Sequence, residues 1–142
     1  MARPFPAPGI TILVVDDEPI ARRVAYRLLS EEGYRVFEAE GYEEALDTLR
    51  LASGRVDLLV VDAVMPGCDG VTLVQQVQEQ WVGIKVLYMS AHPAEILARQ
   101  GLSALDVLFL AKPYTRDELL AKVRQALDRR SATRPSERPQ QG

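Results

Sequence analysis

The chain has little with which to cross-link itself. It contains one cysteine, Cys68, so no internal disulfide can form, which fits a reducing compartment. No apolar run reaches the roughly eighteen residues that a membrane-spanning helix needs. The start, Met1 to Gly9, holds three prolines and no apolar core of the kind a signal peptide requires. A basic excess is missing too, because 17 Lys and Arg face 20 Asp and Glu for a net charge of -3. That argues against nucleic acid as the main partner. Internal repeats that would indicate a solenoid are also absent. Together these absences lead us to expect a cytoplasmic protein, with no nucleic-acid partner and no membrane span.

What is present suits one folded domain. At 142 residues, 47% of them apolar and 26% charged, the chain can bury a core without disulfides or a structural metal. Residues 1–9 (MARPFPAPG) are Pro-rich and aperiodic, and are expected to form a disordered lead-in. Residues 131–142 (SATRPSERPQQG) hold no apolar side chain beyond Ala132, and are expected to be a disordered tail. The domain proper is expected over residues 10–130.

Within it, short apolar runs alternate with amphipathic ones. Residues 10–15 (ITILVV) and 57–62 (DLLVVD) have no polar alternation and read as strands buried on both faces. Residues 35–39 (RVFEA) alternate, as a strand nearer the sheet edge does. Residues 84–90 (IKVLYMS) and 107–110 (VLFL) supply a fourth and a fifth strand. The spacing predicts helices from Pro19 to about Glu32, from Tyr42 to about Ala52, and from Gly70 to Trp81. Two more are expected, a short and poorly patterned one over 94–100 and a last one opened by Thr115 and ending near Arg129. On the first helix Ile20, Val24 and Leu28 form the apolar stripe, with Arg22, Arg23 and Arg27 off it. Thr115 and Glu118 have the form of a capping box. Five strand–helix repeats with crossovers of this length give a doubly wound, five-stranded parallel sheet with helices on both faces.

The strand ends carry the chemistry. Acids follow the first strand (Asp16, Asp17) and end the third (Asp62). A hydroxyl ends the fourth (Ser90), and an amine follows the fifth (Lys112). Parallel strands end on one side of a sheet, so these groups should converge there. Each alone reads as a helix cap or a solvated side chain; one per strand in this order does not. Clustered carboxylates repel and raise a pKa, and a dication relieves this. Hard oxygen donors suit Mg²⁺, which assigns Asp16, Asp17 and Asp62 to one Mg²⁺ site. Phosphoryl transfer needs positioning and neutralisation of charge. Asp62 can act as the nucleophile, while Lys112 and the Ser90 hydroxyl take phosphoryl oxygens.

Val15-Asp16-Asp17-Glu18, Asp62-x-x-Met65-Pro66-x-x-Asp69-Gly70, Ser90-Ala91 and Lys112-Pro113 together resemble the CheY-like receiver domain of two-component response regulators. The resemblance covers about Ile10 to Arg130 and implies a flavodoxin-like (βα)5 fold. It implies that Asp62 is phosphorylated by a histidine kinase or a histidine phosphotransfer domain. It also implies that Val64 gives its backbone carbonyl to the Mg²⁺, and that Ser90 and Lys112 contact the phosphoryl group. Phe109 falls at the family's switching aromatic; lacking a phenolic hydroxyl, it would switch with Ser90 by packing alone. Val64 and His92 fall where the family tunes hydrolysis of the phosphoryl-aspartate. The resemblance further implies a cis Lys112–Pro113 bond, and an effector or homodimer surface over about 94–130.

His92, the single histidine, reads more simply as a capping or solvated residue before Pro93 than as a phosphohistidine. A phosphatase of the haloacid dehalogenase type is disfavoured, because its second catalytic acid would fall where Pro19 closes the first strand's Asp-Asp-Glu-Pro run. A pseudo-receiver, which binds without being phosphorylated, normally lacks an acid or the lysine, and this chain has both. The runs around Ser90 and Lys112 look like receivers attached to hybrid sensor kinases, and a stand-alone regulator fits equally.

Overall fold

A computed structural model describes residues 9–65, 67, 70–101 and 107–129; the expected lead-in before Gly9, the expected tail and the stretch 102–106 lie outside these residues. The sheet is built from β1 (Thr11–Val15), β2 (Arg35–Ala39), β3 (Leu58–Asp62), β4 (Lys85–Ser90) and β5 (Phe109–Ala111). Helices α1 (Pro19–Glu31), α2 (Tyr42–Leu51), α3 (Gly70–Gln80), α4 (Pro93–Gln100) and α5 (Arg116–Asp128) alternate with the strands. All neighbouring strands are parallel, in the order β2-β1-β3-β4-β5. The fold is the flavodoxin-like (βα)5 form, and the strand order reverses between β1 and β3, where such sheets open a crevice at their carboxyl ends.

The two-residue period of the strands splits the core. Leu13, Val15, Leu59, Val61 and Tyr88 face one layer with α2 and α3, joined by Ile96 of α4. Ile12, Val14, Leu58, Val60, Leu87 and Met89 face the other with α1 and α5. Every residue of β1 and β3 is buried, whereas β2 at the sheet edge alternates until Ala39. Each fully buried leucine in these rows contributes about 1.5–3 kcal/mol of transfer free energy.

The α1 stripe is the expected one only at Leu28, which packs against the core. Ala25 and Leu29 are its buried residues, while Ile20 is 78% and Val24 43% exposed. Leu28, the third residue of the expected stripe, is half-buried and packs against the same layer as Leu29, so only the N-terminal part of that stripe, Ile20 and Val24, is turned to solvent. Strand limits also moved: β4 begins at Lys85 rather than Ile84, and β5 runs over Phe109–Ala111 rather than 107–110. The amide of Tyr88 already donates to the Leu108 carbonyl at 2.9 Å, so pairing starts one residue before the ladder proper. Helix α4 is a short one, two turns closed by Gly101 at φ 68°, a left-handed cap that glycine adopts without a Cβ penalty. The capping box on α5 is complete, since the Glu118 amide donates to Thr115 Oγ1 at 3.1 Å and the Thr115 amide to Glu118 Oε1 at 2.8 Å.

Candidate functional site

The carboxyl ends of β1, β3, β4 and β5 bring the expected groups to one rim. Asp62 is the last residue of β3 and continues the Leu58, Val60 row; Asp16 and Asp17 follow β1 directly. One carboxylate oxygen from each of Asp16, Asp17 and Asp62 lies within 4.8 Å of the others. Lys112 reaches this cluster from the end of β5, with Nζ 2.9 Å from Asp16 Oδ2 and 3.0 Å from Asp62 Oδ2. The Lys112–Pro113 peptide bond is cis, as the resemblance implied.

Asp16 is fully buried, and its polar atoms are all engaged. Its amide donates to the Ala39 carbonyl at 3.1 Å. Its carbonyl accepts from Arg22 Nη1 at 2.8 Å, and its Oδ1 accepts from the Glu18 amide at 3.0 Å. Asp17 is half-buried and carries the cluster toward solvent. Asp62 is 9% exposed, and its Oδ1 accepts from the Val64 amide at 2.9 Å. Oδ2 of the same carboxylate faces the ammonium.

Burial is the largest influence on Asp62, and it raises the carboxyl pKa above its ordinary value. The Val64 amide and then Lys112 pull it back down, and the charge of Asp16 adds the smallest upward push. Mutual repulsion, the cause the acids alone suggest, is therefore secondary to desolvation. Burial pushes the Lys112 amine down, but its hydrogen bonds to Asp16 and Asp62, with their charges, outweigh that and leave its pKa raised. Tyr114, packed against the α1 and α5 layer, has its phenol pKa raised by burial first, opposed by Lys112 and reinforced by Asp16.

Ser90 ends β4 and is 3% exposed. Its Oγ accepts from the His92 amide at 2.9 Å, and its carbonyl accepts from the Lys112 amide at 2.9 Å. His92 itself is an exposed N-cap of α4 with no side-chain cap bond, and its main chain touches the site through the amide that Ser90 Oγ accepts. Val64 is 55% exposed at the rim. Phe109 is half-buried on β5 and stacks on Tyr88 of β4, with centroids 5.3 Å apart and planes 24° apart.

Two features escaped sequence reasoning. Gly70 opens α3 against the end of β3, where a Cβ would collide with the Asp62 carbonyl and lie 3.0 Å from Ala63 Cα. The glycine was legible as the start of a helix but not as a point of close backbone approach. Arg22, read as a surface charge, reaches the Asp16 carbonyl and Glu38 of β2. No local pattern announces such a contact.

Three carboxylates and one ammonium leave a formal excess of two negative charges in a largely buried cluster. Hard oxygen donors with that excess fit a divalent cation of the Mg²⁺ kind. Among the described residues, no helix is long and apolar enough to cross a membrane.

A doubly wound sheet with acids at its switch point and a lysine reaching across to them defines a class of α/β domain. The comparisons make it specific. The family model "Response regulator receiver domain" matches residues 12–124, and the chain belongs to that family of two-component signalling domains. It is 36% identical over 122 residues to the KDP operon transcriptional regulatory protein KdpE of Escherichia coli (strain K12), covering 86% of this chain and 53% of that protein. It is 34% identical over 119 residues to the sensor kinase CckA of Brucella abortus (strain 2308), covering 84% of this chain and 13% of that protein. The chain thus spans about half, or far less, of the curated relatives it matches. Among solved structures, the receiver domain of the hybrid histidine kinase CckA superposes with a TM-score of 0.69 at 37% identity, over 82% of this chain and 98% of that one. A response regulator receiver protein from Sinorhizobium medicae gives 0.72 at 28% identity, over 84% and 94%.

Proposed function

We propose that this domain accepts a phosphoryl group on Asp62 from the phosphohistidine of a histidine kinase or a histidine phosphotransfer domain. The observation that carries the reading is the Lys112 ammonium held between Asp16 Oδ2 and Asp62 Oδ2 at the carboxyl rim of the sheet. An oxygen of Asp62 attacks phosphorus, the new P–O bond forms as the P–N bond breaks, and the departing imidazole keeps the electron pair and takes a proton. Lys112, already within hydrogen-bond reach of Asp62, neutralises one phosphoryl oxygen. The Ser90 hydroxyl, whose Oγ is anchored by the His92 amide, offers its proton to another.

Asp16, Asp17, Asp62 and the Val64 carbonyl are the groups that would hold Mg²⁺. When bound, the ion neutralises the acids and the incoming phosphoryl charge. On the return path water attacks phosphorus, the P–O bond to Asp62 breaks, and inorganic phosphate leaves with the carboxylate restored; the exposed Val64 and His92 would flank that approach. The domain would thus catalyse only its own phosphorylation and dephosphorylation. Phe109 and Ser90 would relay the phosphorylation state to the surface of α4, β5 and α5, where an effector or a second copy would dock. The lone cysteine and the two-component membership support a cytoplasmic place for it.

The test is incubation with acetyl phosphate and Mg²⁺ followed by intact-mass and peptide-mapping spectrometry. One added phosphoryl group on Asp62 is expected, lost on adding a chelator beforehand and absent in D62N. An unmodified wild-type protein under these conditions would instead mark a binding module of the same fold.

A further inference from the structure

We infer that Arg22, bridging Glu38 to the main chain of Asp16, is a positioning residue for the cation-binding acids. The inference rests on the preceding reading of Asp16, Asp17 and Asp62 as holders of a divalent cation. Arg22 Nη1 donates to the Asp16 carbonyl at 2.8 Å, and Nε donates to Glu38 Oε1 at 3.1 Å. Both side chains of the pair are largely covered, Arg22 at 19% and Glu38 at 18% exposed. Arg23 meets the second oxygen of Glu38 at 3.2 Å, so each oxygen of the acid faces a guanidinium.

The consequence lies in the turn after β1. Asp16 and Asp17 sit in a segment that has left the β-ladder and not yet entered α1. That turn is held by the Asp16 amide on Ala39, the Glu18 amide on Asp16 Oδ1, the Lys112 ammonium on Asp16 Oδ2, and the guanidinium on the Asp16 carbonyl. Of these only the guanidinium comes from a side chain on α1, and through Glu38 it ties the turn to β2 as well. A planar guanidinium presents donors in a fixed fork, which lets it serve two acceptors at once in a defined geometry. Groups that orient metal-binding side chains from behind typically change affinity by about 10- to 100-fold when removed.

Coulomb's law predicts the opposite sign, and this makes the inference testable. Removing a positive charge beside a dication site should tighten binding if charge alone matters. Removing a brace should weaken it. Mg²⁺ would be titrated calorimetrically into the unphosphorylated full chain for wild type, R22M, R22K and the charge-balanced double variant R22M/E38L. Melting midpoints would be taken with chelator and with Mg²⁺, and far-UV circular dichroism would check folding.

Wild-type protein that shows no Mg²⁺ binding would defeat the underlying metal assignment rather than this inference. With wild type binding, R22M and the double variant are expected to bind about tenfold more weakly. R22K is expected to be weakened as well, because its point charge lacks the fork. The Mg²⁺-induced rise in midpoint should shrink in each, a change that simple destabilisation of the metal-free fold would not produce. R22M binding as tightly as wild type or tighter, or R22K or the double variant matching wild type, would overturn the bracing role. Should R22M fail to fold, R22K decides the question by the same comparison.

Discussion

Asp62 is a carboxylate whose surroundings pull it two ways. The Val64 amide and Lys112 favour its charged form, and burial, the stronger influence, disfavours it. Because its folded pKa stands above the ordinary 3.8, the folded state holds this proton more tightly than the unfolded chain does. The stabilisation that protonation brings is complete below the ordinary value and is lost as pH rises through the raised one. The neutral isostere in D62N escapes that loss. Without Mg²⁺ it should be more stable than wild type at neutral pH, with the difference vanishing as pH falls toward 3.8; chemical denaturation across the pH range checks this. Lys112 behaves oppositely, since K112M strips Asp16 and Asp62 of their shared counter-charge. Breaking one side of a buried ionic cluster typically costs about 3–5 kcal/mol. We expect a loss at the lower end of that range, because Lys112 is 21% exposed, and Mg²⁺ should recover more of it than it adds to wild type.

At the scale of elements, the decisive facts are how α1 and α3 meet the sheet. Substituting Ile20 with serine should change stability by less than about 0.5 kcal/mol, as exposed sites do, whereas Leu29→Ala should cost about 2–5 kcal/mol. Urea denaturation of the pair tests the observed face of α1 against the stripe that periodicity suggested. For α3, G70A puts a methyl group against the backbone of Asp62 and Ala63. Neither neighbour is a pliable side-chain end, so the helix must retreat, at a cost of about 1–3 kcal/mol. The same retreat shifts the residue that carries the acid, and acetyl phosphate labelling of Asp62 should slow in parallel. These contacts also show why the sequence was only partly legible. A buried strand that ends on an acid is a local pattern, so the strand ends and the capping box could be read directly. Whether a helix packs through Ala25 or through Ile20 and Val24 depends on the facing surface, which local periodicity does not encode. The burial of Asp62, the reach of Arg22 to Asp16 and the closeness of Gly70 to β3 are likewise products of assembly.

For the molecule as a whole, a ligand that binds only the folded state adds stability by mass action, about 2.7 kcal/mol at a hundred times its dissociation constant. Mg²⁺ should therefore raise the unfolding midpoint, and the gain should fade on acidification from a pH above the ordinary carboxylate range, because the proton on Asp62 competes with the cation. Scanning calorimetry at a series of pH values, with and without Mg²⁺, follows both trends. The sheet also joins its chemistry to its outer strand. Lys112 is hydrogen-bonded through its amide to the carbonyl of Ser90, while its side chain spans Asp16 and Asp62. Any travel of the serine's end of β4 therefore tugs the root of the very ammonium that steadies the acids. Under the proposed function reaction and message would share one tether, and an engineer who altered that strand end should find both retuned together.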